Sequence, residues 1–67
     1  MNYFDNCRAH AAYNLDTREV MLYCYKRGLR NATKHRGGRW VFAHGKNALQ
    51  RVCDKALGIL KAEGVRI

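Results

Sequence analysis

An apolar stripe near the C-terminus constrains this chain more than any other feature. Leu49, Val52, Cys53, Ala56, Leu57 and Leu60 recur at i, i+3, i+4, i+7, i+8 and i+11, the spacing that lines one face of an α-helix. The pattern predicts a helix from about Asn47 to Ala62. Asn47 supplies a side-chain oxygen suited to an N-cap, Lys61 complements the negative end of the dipole, and Gly64 suits the left-handed position that ends many helices. Only Gly58 opposes it. An amphipathic helix of this length is marginal alone in water, so its stripe must be covered by the rest of the chain. With 67 residues in total, that rest is small. The chain sits just below the ~70–80 residues at which one apolar core becomes comfortably self-sufficient. It is one domain, 1–67, with no proline, no linker composition and no internal repeat.

The segment before the helix, Arg39-Trp40-Val41-Phe42-Ala43-His44, is rich in aromatic and β-branched residues and bounded by glycines, which predicts a strand. Alternation then puts Trp40 and Phe42 on one side and Arg39, Val41 and Ala43 on the other. Residues 15–29 admit two readings. Leu15 to Arg18 resembles a turn, and Glu19 to Tyr25 a central strand, which together make a hairpin with the weakly alternating segment up to Tyr13. Asp16 and Glu19 also match the spacing of a capping box that would open a helix instead. The favoured architecture is α+β: a small three-stranded antiparallel sheet packed by a C-terminal amphipathic helix. The alternative makes residues 3–13 and 17–28 into two N-terminal helices, followed by a β-hairpin wing around Gly37-Gly38 and the C-terminal helix. Both place the basic middle of the chain in a loop or a hairpin tip, and in both Leu57 is expected to hold the core.

Charge is the strongest functional signal. The formal net charge is +8, from 13 Lys and Arg against 5 Asp and Glu, and the cations are unevenly placed. Lys26, Arg27, Arg30, Lys34, Arg36, Arg39 and Lys46 fall in one window that contains no acid. A solvated surface normally mixes signs, so this segregation points to an anionic partner. Phosphates account for the composition of the window: Lys and Arg release counterions, Gly37 and Gly38 permit close backbone approach, and Trp40 offers a stacking face for a base. Arg51 and Lys55, four residues apart on the predicted helix, extend the surface. The expected function is therefore nucleic-acid binding, DNA or RNA, through Lys26, Arg27, Arg30, Lys34, Arg36, Arg39, Trp40, Lys46, Arg51 and Lys55. Arg36 and Arg39 are expected to contribute most. Tyr3, Phe4, Tyr13, Tyr23 and Tyr25 would add stacking if they lie on an open sheet face. The alternative is a protein-interaction module that docks its basic face on an acidic surface of a larger protein. Either is compatible with a homodimer, because a small core gains from shared apolar surface.

Other classes find little support. Three cysteines, Cys7, Cys24 and Cys53, cannot all pair within one chain, and no signal-peptide pattern opens the sequence, so a cytoplasmic location is expected. The longest fully apolar run, Val20 to Tyr25, is too short to span a bilayer, and no membrane association is expected. Cys7 and His10 form one loose C-x2-H pair where structural zinc sites use two tight ones, so neither metal nor cofactor is expected. No nucleophile-base set, phosphate loop or dinucleotide fingerprint occurs, and the chain is read as a non-enzyme. Gly37-Gly38-Arg39-Trp40-Val41-Phe42-Ala43-His44 resembles the strand that carries the catalytic histidine in HicA-type mRNA interferase toxins, whose fold is double-stranded-RNA-binding-like. That family's histidine position falls on Arg39 here, so the resemblance does not extend to its ribonuclease activity.

Overall fold

The computed structural model describes residues 9–66. Five elements follow one another: β1 (His10–Asn14), β2 (Val20–Tyr23), α1 (Lys26–Lys34), β3 (Trp40–His44) and α2 (Ala48–Ala62). The sheet order is β2-β1-β3, with β1 antiparallel to both neighbours. Strands β2 and β3 therefore run parallel to each other, which requires a crossover connection, and α1 supplies it. This is the expected α+β architecture, with one helix more than the pattern predicted. The alternative with N-terminal helices is not what forms: residues 10–14 and 20–23 are strands, and residues 3–8 of the proposed first helix lie outside the described residues.

The central strand explains the layering. Ala9, Ala11 and Ala12 are all buried, and their small side chains let a helix approach β1 from each side. Ala11 faces α2 and packs with Ala48 and Val52, joined by Tyr13, Leu22, Val41, Ala43 and Cys53. Leu15, Ala56 and Leu60 continue that core, with Ile59 and Val65 at its margin. By alternation, His10, Ala12 and Asn14 face the other way, together with their cross-strand partners Met21, Tyr23, Trp40, Phe42 and His44. Helix α1 covers β1 and β2 on that face. Gly28 makes the approach close, since a Cβ there would stand 3.1 Å from the Tyr23 ring.

Helix α2 corrects two details of the predicted stripe. Its buried residues are Ala48, Val52, Ala56 and Leu60, at a spacing of four, while Leu49 is 42% exposed and Leu57 only half-buried. The helix is rotated toward its alanines because these allow the closest contact with the alanine-rich central strand, so Leu60 rather than Leu57 anchors the core. Asn47 precedes the helix in a left-handed conformation and makes no side-chain cap. The C-terminus forms as expected. Gly64 has φ 81°, its N–H donates to Lys61 O and that of Val65 to Leu60 O, the paired bonds of a Schellman motif. Gly58 is an exposed mid-helix position where an added Cβ meets nothing within 4 Å. Gly58→Ala is therefore expected to stabilise the protein by about 0.5–1 kcal/mol, read as a rise of roughly 3–6 °C in thermal midpoint.

Candidate functional site

Residues 26–34 are helical, which corrects the placement of the basic window in a loop or hairpin tip. The helix escapes a periodicity search because Lys-Arg-Gly-Leu-Arg-Asn-Ala-Thr-Lys carries one large apolar side chain. Tertiary contact holds it: Leu29 and Thr33, four residues apart, are buried against the sheet, and the Thr33 hydroxyl donates to Leu29 O at 3.1 Å. That orientation leaves Arg27 and Lys34 exposed to solvent and sets Lys26 and Arg30 along a cleft.

The cleft exists because α1 covers β1 and β2 but leaves the outer face of β3 open. It holds about 360 Å³ and lies between α1 on one side and β3 with the start of β1 on the other. Leu29, Phe42 and Ala43 give it an apolar lining, and Phe42 is 45% exposed. His10 and His44, directly opposed in the β1–β3 register, stand with ring centroids 5.9 Å apart and planes 20° from parallel. Partial burial, followed by the positive charge of His44 and Lys26, holds the His10 pKa below its ordinary 6.5.

The far rim is also cationic. Strand β3 is an edge, and Phe42 and His44 direct their backbone carbonyls out of the sheet. Arg51 Nη1 donates to His44 O at 2.8 Å and Lys55 Nζ to Phe42 O at 3.4 Å. Helix α2 thus wraps two cations around the sheet edge, which blunts the edge against strand addition and places positive charge beside the cleft. Lys46 is exposed in the turn between β3 and α2.

The opposite end of the sheet is built differently. Arg36 pairs with Glu19, and Arg39 pairs with Asp16 at 3.2 Å and Glu63 at 2.8 Å. The hydrogen bonds from Arg39 hold the Asp16 carboxyl below the usual carboxylate range. Asn14 lies fully buried beneath this end; its amide donates to Gly37 O, and its oxygen accepts from Asp16 N and Thr17 N. Trp40, across from Asn14, is half-buried, with its indole nitrogen enclosed and lacking a partner among the described residues.

The fold therefore sorts six of the ten sequence-predicted residues into two sets. Lys26 and Arg30 line one cleft, Arg51 and Lys55 hold the outer carbonyls of the strand beside it, and among the described residues no carboxylate pairs with them. Arg36 and Arg39 are engaged by carboxylates at the other end. Of the glycine pair read as leaving room for phosphate, Gly38 leaves room for Asn14. Phe42, His10 and His44 were not singled out as site residues from sequence; the signal available was that Phe42 and His44 share a parity on β3, whereas His10 joins them only once the β1–β3 register is known.

Among the described residues, no helix is long and apolar enough to cross a membrane, and no three His, Cys, Asp or Glu cluster to hold a metal ion. The chain matches no protein-family model, no curated protein and no solved structure.

Proposed function

We propose that this is a nucleic-acid-binding protein that holds a polynucleotide strand in the cleft between α1 and β3. The observation that carries the reading is the separation of charge. Three of the four carboxylates among the described residues, Asp16, Glu19 and Glu63, pair with Arg36 and Arg39 at one end; the fourth, Asp54 on α2, accepts from Gln50, and the described residues lining the cleft at the other end include Lys26 and Arg30 but no carboxylate. Lys26 and Arg30 line one rim, and Arg51 and Lys55 reach the edge strand that forms the other, so both sides offer cations to phosphates. Exposed Phe42 between them offers a base the stacking surface that the sequence assigned to Trp40. An unpaired base can stack on the exposed Phe42 ring, which the bases inside a duplex cannot reach. Unpaired thiols at Cys24 and Cys53 accord with a reducing, cytoplasmic setting.

Fluorescence anisotropy with labelled single-stranded DNA and RNA across a salt series tests the proposal. Four phosphate contacts on a single strand release counterions with a log–log slope of about −3. A flat response to salt, or no binding to either polymer, rejects it.

A further inference from the structure

We infer that His10 and His44 form a phosphate subsite at the end of the cleft, so that binding of the strand and uptake of protons by the two imidazoles are coupled. The inference rests on the nucleic-acid reading and deepens it by naming where one phosphate sits and what regulates its retention.

The geometry supports this in three steps. The two rings rise side by side from adjacent strands on the same face, 5.9 Å apart and nearly parallel, so a tetrahedral anion above them can accept a hydrogen bond from each. Cations reach the pair's surroundings from both helices: Lys26 and Arg30 from α1, and Arg51 from α2, whose guanidinium donates to the His44 carbonyl. Strand β2 contributes Tyr23, opposite His10 in register. Among the described residues lining the cleft there is no carboxylate to neutralise a protonated imidazole. The third step is a frustrated charge. His10 resists protonation in the free protein through partial burial and the neighbouring positive charges, and a phosphate outweighs both by supplying an anion to the protonated ring.

The signs for the free protein and the complex are therefore opposite. With the cleft empty, the folded His10 pKa lies below the ordinary 6.5, so the unfolded chain binds more protons in that range. The stability contributed by neutral His10 is present above 6.5 and lost as pH falls through the folded value. With a strand bound, the protonated form is favoured, and affinity rises as pH falls over the same range. A histidine with only a structural part to play produces the first effect and not the second.

The test measures affinity for a 5′-hydroxyl and a 5′-phosphorylated oligonucleotide from pH 8 to pH 5.5 at fixed ionic strength, and follows both imidazoles by NMR. Phosphate contact that favours the protonated ring is expected to tighten binding by up to about tenfold across this range, the gain that a shift of about one unit at a single group confers. His10→Gln and His44→Gln are each expected to remove part of the pH dependence. Equal pH dependence for both strands assigns the subsite to a backbone diester; dependence confined to the phosphorylated strand assigns it to a terminal monoester. Binding at pH 8 with an unchanged affinity at pH 5.5 overturns the subsite while sparing the cleft, as does a pH dependence that survives in both variants. Absence of binding at every pH overturns both proposals.

Discussion

Gly38→Ala is expected to remove most of the stability of this protein, while Gly37→Ala, one residue earlier, leaves the unfolding midpoint nearly unchanged. Two observations separate the neighbours. Gly38 has φ 102°, where an L side chain is strained, and its added Cβ would lie 2.5 Å from both terminal atoms of the Asn14 amide. Gly37 has no positive φ, and a Cβ there meets nothing within 4 Å. The Asn14 side chain cannot yield, because it is fully buried and its three hydrogen bonds tie β1 to the turn after it and to the loop before β3. Accommodating the extra methyl group means breaking those bonds at about 1–3 kcal/mol for each buried group left unpaired, on top of about 1–3 kcal/mol of backbone strain. A domain of this length has roughly 3–10 kcal/mol in total. Urea unfolding followed by circular dichroism reads the difference. Similar midpoints for the two variants would show that Asn14 does not lock this end of the sheet.

The Asn14 lock also shows which parts of the molecule the sequence discloses. Strands and the long helix announce themselves through alternation and the 3.6-residue period, because each pattern lies within one stretch of chain. Helix α1 does not, since its helicity comes from Leu29 and Thr33 meeting a sheet built elsewhere. The rotation of α2 toward Ala48 and Ala56 was hidden for a related reason: periodicity weighs large side chains, whereas the close approach to Ala9, Ala11 and Ala12 is decided by small ones. For the site, the basic window is visible in the sequence but its division is not. Asp16, Glu19 and Glu63 neutralise Arg36 and Arg39 only because the β1–β2 turn and the end of α2 converge on the loop before β3. The pairing of His10 with His44 likewise depends on strand register, which no local pattern encodes.

That division yields the second large effect. Replacing Lys26 and Arg30 together by Ala is expected to weaken oligonucleotide binding by about tenfold or more near 0.1 M salt, and to lower the magnitude of the salt slope by between about 1 and 2. Arg36→Ala and Arg39→Ala are expected to leave that slope unchanged. An arginine already paired with a carboxylate must give up that partner to meet a phosphate, so the exchange releases little bound counterion and gains little free energy. Arg39→Ala additionally strips Asp16 and Glu63 of their shared partner, so its consequence belongs to the acid sensitivity of the fold. Protonating Asp16 would then cost only the bond that the backbone N–H of residue 39 still donates to Asp16 Oδ2, so the stability that its lowered pKa confers above the ordinary 3.8, lost in the wild type as pH falls through the folded value, is reduced in the variant. Salt-dependent anisotropy on the four proteins decides between the two ends of the molecule. A slope that falls with Arg36 or Arg39 and holds when Lys26 and Arg30 are removed would move the contact surface back to the glycine loop, since counterions are released only where cations exchange them for phosphates.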